Sequence, residues 1–228
     1  MNPVRDVACP GAQPLTPLQI LHADDSLLVL NKPSGLLSVP GRGEDKQDCL
    51  SRRVQSLYPD ALVVHRLDMA TSGLMLMARG AAMQRAMSLL FERREVNKLY
   101  VALVDGQLEP APTADGRGLI DLPIAVDWPR RPLRIIDAAG KPSQTRWRSL
   151  AFNSEAHCTR VELEPVTGRS HQLRVHLLAL GHPILGDALY APDAVRARSV
   201  RLLLHATALR LIHPATGTLL SVESPPDF

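Results

Sequence analysis

The sequence predicts an α+β fold built around a mixed, mainly antiparallel sheet with flanking helices. Stretches typical of strands outnumber helical ones and are short, apolar or alternating. Turn residues connect many of them directly, as at 214–217, and the alternation of strand and helix that marks a parallel sheet is missing. With 228 residues and 45% hydrophobic content, the chain can bury one substantial core.

The predicted strands are apolar runs or alternating segments that end at turn residues. The stretch 98–104 alternates, so it places Lys98, Tyr100 and Ala102 on one face. The remaining strands are predicted at 27–30, 61–64, 74–78, 144–149, 159–163, 202–206, 209–212 and 218–222.

Three helices are predicted from apolar spacing. The first follows Asp48 as its N-cap and buries Leu50, Val54 and Leu57 on one face. The second covers about 81–94, with its methionines in the core. The third covers 171–180, with Ser170 as its N-cap and Gly181 as its C-terminal stop.

The N-terminal residues and the cysteines indicate the domain organisation and the cellular compartment. Residues 1–19 are rich in proline and are expected to form a loose arm, which leaves 20–228 as one domain. Neither a signal peptide nor a membrane-spanning run is evident, so we expect a cytoplasmic protein. Cys9, Cys49 and Cys158 have no metal-like spacing and are expected to be free thiols.

The charge is weakly basic, with a net charge of +3 and a pI near 9.0. The 26 basic residues are mostly arginine, which suits bidentate binding of phosphates and bases, although codon bias gives the same composition. Arg130 and Arg131 follow Trp128 in an exposed segment, a combination that favours single-stranded RNA and equally fits a charged surface loop.

One polar loop, 64–73, lies between the two predicted strands at 61–64 and 74–78. It carries the carboxylate of Asp68, with Arg66 two residues before it and a Thr-Ser-Gly turn after it. Taken alone, such an aspartate usually caps a turn. Taken alone, Lys32 at the end of a strand is most simply a solvated turn lysine. Tyr100 is most simply a tyrosine packed within a strand.

Four motifs change that interpretation, because together they resemble the RluA-type RNA pseudouridine synthases. The active-site motif of that family is similar to His-Arg-Leu-Asp-x-x-Thr-Ser-Gly at 65–73. Three further similarities follow the family order, at 31–36, 98–102 and 167–176. The likeness is strongest to the short members that act on both tRNA and large-subunit rRNA, notably at 34–41, 121–132 and 181–190.

The resemblance implies a pseudouridine-synthase-like fold with a central cleft, and an isomerase that needs no cofactor or metal. It also implies that residues 20–228 are the catalytic domain, and we expect no separate N-terminal RNA-binding domain of the kind that many members carry. Asp68 matches the catalytic aspartate, which either attacks C1′ or assists loss of the base through a glycal. Arg174 matches its basic partner, Tyr100 the residue that stacks on the base, and Leu173 part of the apolar floor.

The resemblance also implies how RNA is bound. Arg66 matches the residue that fills the stack vacated by a flipped base, and His65, Lys32 and Thr71 belong to substrate-binding motifs. The expected partners are the tRNA anticodon stem-loop and a 23S rRNA hairpin, with no DNA or membrane partner. We expect a monomer.

Two alternative functions are less consistent with the sequence. A non-catalytic RNA-binding module of the same fold would have lost Asp68, Tyr100 or Arg174, and all three are present. A metal-dependent hydrolase would need clustered ligands, but His171 and His176 are five residues apart and do not share a helix face. Each was therefore expected to be a hydrogen-bonded structural histidine.

Overall fold

A computed structural model describes residues 17–228, so most of the predicted N-terminal arm, Cys9 included, lies outside it. The boundary at residue 19 therefore stays a prediction. Ten strands of the described residues form one sheet: β1 Gln19–Ala23, β2 Leu27–Lys32, β3 Ala61–Val63, β4 Ser72–Arg79, β5 Asn97–Asp105, β6 Arg117–Asp121, β9 Gln144–Asn153, β10 Cys158–Pro165, β11 Leu204–Ile212 and β12 Leu219–Glu223. Between β6 and β9, β7 Ile124–Val126 and β8 Arg134–Ile136 form a separate hairpin.

The sheet is mixed and mainly antiparallel, as predicted. Its order is β1-β2-β4-β11-β5-β10-β9-β6, with β3 on β4 and β12 on β11. The pair β4 and β11 is parallel, whereas the other pairs are antiparallel. The predicted strands at 202–206 and 209–212 are one strand, interrupted only by an irregularity between Ala206 and Ala208. The turn-rich stretch 116–140 holds β6 and the hairpin, which periodicity did not indicate.

The core lies around β2 and β4. From Ser72 to Ala78 each residue of β4 is buried, and Leu27–Leu30 of β2 are fully buried beside it. Burying one such aliphatic side chain contributes about 1.5–3 kcal/mol. Because β4 begins directly after the Asp68 loop, the rigid centre of the sheet fixes one end of that loop.

Within the described part of the chain, four α-helices pack around the sheet: α1 Leu50–Gln55, α2 Gly80–Glu92, α3 Gln172–Ala179 and α4 Asp193–Arg196. Asp48 is not the cap of α1. Cys49 occupies that position, and the Asp48 carboxylate instead accepts a 2.7 Å hydrogen bond from Nε of Arg53. Leu57 lies beyond the helix and is 62% exposed, so it does not extend the buried face.

The start of α3 also differs from the prediction. His171, not Ser170, is the N-cap, in the left-handed region with φ 58°, and no side chain caps the helix there. The predicted stop is confirmed. Gly181 has φ 83°, its N–H donates to the Leu178 carbonyl, and the His182 N–H donates to the Leu177 carbonyl, the paired bonds of a Schellman motif.

The structure of residues 17–228 also bears on the cysteines and on membrane-spanning helices. Cys49 and Cys158 are free and buried. None of the helices in this part of the chain is long and apolar enough to cross a membrane.

Candidate active site

A cavity of about 590 Å³ opens between the 64–71 loop, β5 and the start of α3. Most of the predicted site residues line it, although they come from segments far apart in the sequence. They are His65, Arg66, Asp68, Thr71, Tyr100, Leu173 and Arg174.

The loop that carries Asp68 is held by its backbone. The Thr71 N–H donates to the Asp68 carbonyl at 3.0 Å and closes the turn. Gly73 then adopts φ 106° where β4 meets β11, and a Cβ there would lie 2.3 Å from the Ala206 carbonyl oxygen. A glycine is required at this position, because any side chain would separate the two strands next to the Asp68 loop.

Residues 32–38 support the same loop from behind. The Ser38 hydroxyl donates to the Leu67 carbonyl at 2.7 Å, and the Ser34 hydroxyl donates to the Ala70 carbonyl at 2.7 Å. The Lys32 ammonium is 0% exposed and donates to the carbonyls of Pro33, Leu36 and Met69. Its donors face carbonyls and the side chain does not line the cavity, so the expected contact of Lys32 with substrate stays a prediction. Its position indicates support of the loop.

Asp68 faces a buried arginine. Nη1 of Arg174 lies 3.7 Å from Oδ2 of Asp68, whose side chain is 23% exposed. The same guanidinium makes a bidentate pair with Asp187, at 2.8 Å from Nε and 2.5 Å from Nη2. Burial opposes this charge, but the hydrogen bonds that Arg174 donates to Asp187 and the negative charges of Asp187 and Asp68 outweigh it and raise the pKa of Arg174.

Asp187 is a site residue that sequence reasoning missed. It is 1% exposed, and its Oδ1 also accepts the backbone N–H groups of Leu189 and Tyr190. The available signal was a charged residue inside the apolar stretch 184–190, since an aspartate is rarely buried unless it is paired. Arg174 therefore bridges two carboxylates, one structural and one open to the cavity.

Tyr100 and His65 form two neutral walls. Burial raises the pKa of Tyr100, with the Asp68 charge adding to the effect, so the phenol keeps its proton. Burial, with a smaller contribution from Lys98, lowers the pKa of His65 to about 3. Its Nε2 accepts the Leu76 N–H at 2.8 Å, and its ring lies 4.9 Å from that of Phe91.

The two predicted RNA-binding arginines outside the motifs do not line the cavity. Arg130 pairs with Asp127 at 2.7 Å, and Arg131 stacks on Trp128 with its guanidinium carbon 4.9 Å from the ring centre. Both lie in the β7–β8 hairpin, which reaches the site through a bond from the Arg134 N–H to the Tyr190 hydroxyl. Their contact with RNA stays a prediction, and it concerns a surface outside the cavity.

The two histidines of the 167–176 motif have different surroundings. His176 is the hydrogen-bonded structural residue that was expected, with Thr145 Oγ1 at 2.9 Å and the Leu122 carbonyl at 3.0 Å. His171, in contrast, lines the cavity and places Nε2 4.0 Å from Oδ2 of Asp68. Within residues 17–228, no group of three or more His, Cys, Asp or Glu side chains could hold a metal ion.

Comparison with known proteins assigns the family. The model of the RNA pseudouridylate synthase family matches residues 26–179, more than half of the chain. The dual-specificity RNA pseudouridine synthase RluA of Escherichia coli (strain K12) is 50% identical over 212 residues, covering 92% of this chain and 94% of that protein. The protein of the same name from Vibrio parahaemolyticus is 45% identical over 223 residues, covering 96% of this chain and 86% of that protein.

The chain belongs to the RNA pseudouridine synthase family. Its fold agrees with the solved structure titled human RNA pseudouridylate synthase domain containing 1, with a TM-score of 0.76 and 30% identity over 97% of this chain and 87% of that one. The resemblance found in the four motifs is thereby confirmed, as is the α+β pseudouridine synthase fold. The activity is that of an isomerase, and the catalytic alternative is favoured over a non-catalytic binding module.

Proposed function

We propose that this pseudouridine synthase modifies specific uridines in two structured RNAs, the tRNA anticodon stem-loop and a 23S rRNA hairpin, in the cytoplasm and as a monomer. The observation that carries the proposal is the Asp68 carboxylate beside the buried Arg174 in a cavity walled by Tyr100. The description "dual-specificity" of the RluA relatives supports the choice of two RNA substrates.

The reaction breaks the N1–C1′ glycosidic bond of uridine and forms a C5–C1′ bond. The C5 proton must then leave, and N1 takes up a proton, so the product is an isomer of the substrate. Asp68 acts in the first step, either by attacking C1′ or by assisting departure of the base. Tyr100 contacts the detached uracil, and Leu173 provides the apolar floor on which it turns.

Arg174 keeps the Asp68 carboxylate in place. Because its guanidinium is 4% exposed and already bound to Asp187, it loses little freedom when substrate arrives. It also compensates the charge of Asp68 in a partly dry cavity, where ion pairs interact more strongly than in water. The geometry thus supports a preformed catalytic pair.

The rim of the cavity suits RNA. Arg66 is exposed beside Asp68, and Arg94, Arg146 and Arg169 also line the opening. A uridine inside a folded loop must be flipped out to reach Asp68, at a cost of a few kcal/mol. Arg66 is placed to occupy the vacated stack, while the other arginines bind phosphates.

Pseudouridine mapping in cells tests this assignment. Uridines of tRNA and 23S rRNA should lose modification when the gene is removed and regain it with the wild-type protein but not with Asp68→Asn. The matched control is Asp60→Asn, which changes a carboxylate that pairs with Arg79 on the surface. Restoration by Asp68→Asn would refute the role of Asp68, and modification lost from only one RNA class would refute dual specificity.

A further inference from the structure

The contacts around Asp68 are asymmetric. Two nitrogen donors approach the carboxylate, and the closest approach of each is to the same oxygen. Nη1 of Arg174 lies 3.7 Å from Oδ2, and Nε2 of His171 lies 4.0 Å from Oδ2. A carboxylate whose cationic and N–H neighbours approach one oxygen leaves the lone pairs of the other, Oδ1, for a reacting group.

The hydrogen bonds of Tyr190 favour one position of the proton on the His171 ring. Its hydroxyl oxygen accepts the Arg134 backbone N–H at 2.9 Å, a group that can only donate. The hydroxyl proton is then available for Nδ1 of His171 at 2.6 Å. In a neutral imidazole one nitrogen accepts while the other donates, so the ring carries its proton on Nε2, toward Asp68.

The ring stays neutral because of its surroundings. Burial lowers the pKa of His171. The negative charges of Asp68 and Asp187 oppose this effect, and the positive charges of Arg174 and Arg134 add to it. A neutral ring accepts from Tyr190 and donates toward Asp68 at once, whereas a protonated ring would place N–H groups against both.

The backbone holds His171 in a conformation that histidine rarely adopts. Its φ of 58° is in the left-handed region, which is unfavourable for a non-glycine residue and persists only where surrounding contacts fix it. The next residue supplies those contacts: the Gln172 side chain accepts from Thr167 and the Arg169 N–H and donates to the Gln144 carbonyl and Thr145. Strain held this firmly next to the catalytic carboxylate indicates a positioning role.

We propose that His171 is a positioning residue that orients Oδ2 of Asp68 through its Nε2–H, that Tyr190 fixes the required tautomer, and that Oδ1 is the reacting oxygen. The inference rests on the proposed role of Asp68. The proposal adds His171 and Tyr190 to the site. Both act through Asp68, and neither reacts with the substrate itself. Tyr190 also supports Arg174, the partner of Asp68, since the guanidinium carbon of Arg174 lies 4.9 Å from the centre of the Tyr190 ring.

The tautomer can be measured without substrate. In protein labelled with ¹⁵N-histidine, two-bond ¹H–¹⁵N correlation spectra distinguish a protonated Nε2 from a protonated Nδ1, and loss of the signal in His171→Gln assigns the residue. We expect protonated Nε2 in the wild type and a mixture of tautomers in Tyr190→Phe, which keeps the ring under Arg174 but removes the hydroxyl. Protonated Nδ1 in the wild type would overturn the proposal, whatever the activity.

Single-turnover rates on an RNA stem-loop test the positioning role. The amide nitrogen of His171→Gln reaches the Nε2 position, whereas that of His171→Asn reaches only the Nδ1 position. We expect a loss of about tenfold for His171→Asn, equivalent to about 1.4 kcal/mol, partial recovery for His171→Gln, and unchanged RNA affinity for both. Equal rates for the two variants, or a faster His171→Asn, would overturn the proposal, because a purely structural role would favour asparagine, which adopts the left-handed backbone of this position more readily than glutamine.

Matched controls exist for both substitutions. His157→Gln changes an exposed histidine that also has a positive φ, of 44°, and Tyr58→Phe changes a tyrosine that also lies against an arginine, Arg79. Both controls should keep the wild-type rate, whereas Tyr190→Phe should lose about two- to tenfold, the effect of one neutral hydrogen bond. A wild-type rate for Tyr190→Phe with mixed tautomers would overturn the proposal. Full activity of Asp68→Asn would instead remove the proposed function beneath it.

Discussion

Removing Arg174 should destabilise the protein through Asp187 and inactivate it through Asp68. Arg174→Met keeps much of the apolar stem but leaves the Asp187 carboxylate, 1% exposed, without its bidentate partner. Leaving one member of a buried ion pair unpaired costs about 3–5 kcal/mol. That is a large part of the total stability of roughly 5–15 kcal/mol expected of a folded protein.

A second substitution should restore stability without restoring activity. Asp187→Asn removes the stranded charge but keeps an oxygen that can accept the N–H groups of Leu189 and Tyr190. What remains is an unpaired buried amide, which costs about 1–3 kcal/mol. The double variant Arg174→Met/Asp187→Asn should therefore be about 2 kcal/mol more stable than Arg174→Met, a difference of the two costs above. Both should have low single-turnover rates, because Asp68 lacks its cation in each.

Urea unfolding, followed by the fluorescence of the partly buried Trp147, measures the stability of the four proteins of this double-mutant cycle. A 2 kcal/mol difference corresponds to about 1 M in the urea midpoint for a slope near 2 kcal/mol/M. The surface pair of Arg79 and Asp60 is the matched control, and breaking it should cost only about 0–1 kcal/mol. A double variant no more stable than Arg174→Met, or one with restored activity, would refute the division of roles between the two carboxylates.

Three further predictions follow. Arg66→Ala should slow the reaction on a structured hairpin more than on an unstructured oligonucleotide, because only the hairpin has a stack to fill, and equal losses on both would contradict that role. RNA affinity should fall steeply between 50 and 200 mM salt, and less steeply for Arg130→Ala/Arg131→Ala. An unchanged slope would exclude phosphate contacts by these two arginines. Burial lowers the pKa of Lys32 from 10.5 to about 7, so above pH 7 the unfolded chain binds more protons there than the folded one. Urea unfolding should therefore show the wild type gaining stability relative to Lys32→Met from about pH 7 to 10.5, and a pH-independent difference would contradict the shift.

The sequence predicted best what depends on local periodicity and short motifs. Alternation placed Lys98 and Tyr100 on one strand face, and both line the cavity. The apolar runs on either side of the Asp68 loop are β3 and β4, and these two strands pair antiparallel. In each case, the side-chain direction follows from the strand itself, so knowledge of distant segments is unnecessary.

Contacts made across turns could not be predicted in the same way. Arg174 and Asp187 meet only because the chain reverses after Gly181, and helix periodicity does not extend through that turn. Ser170 has the better intrinsic capping propensity, yet His171 takes the N-cap position in the left-handed region. Here the hydrogen bonds of Gln172 with β9 and the 167–169 loop determine the entry of the helix, so tertiary contacts outweigh local preference.

Lys32 shows why the electrostatics of the site cannot be derived from the residues that line the cavity. A lysine in a Pro-Ser-Gly turn is ordinarily solvated, because burying an ammonium is costly unless its donors are satisfied. The fold meets that condition with three carbonyls from two segments, those of Pro33 and Leu36 on one side and Met69 on the other. Only after these segments meet is there a place for the ammonium, and the charge of Asp68 then favours its protonated form. The 31–36 motif therefore acts on the Asp68 loop through the backbone and through charge, and contact with RNA is not needed to explain the position of Lys32.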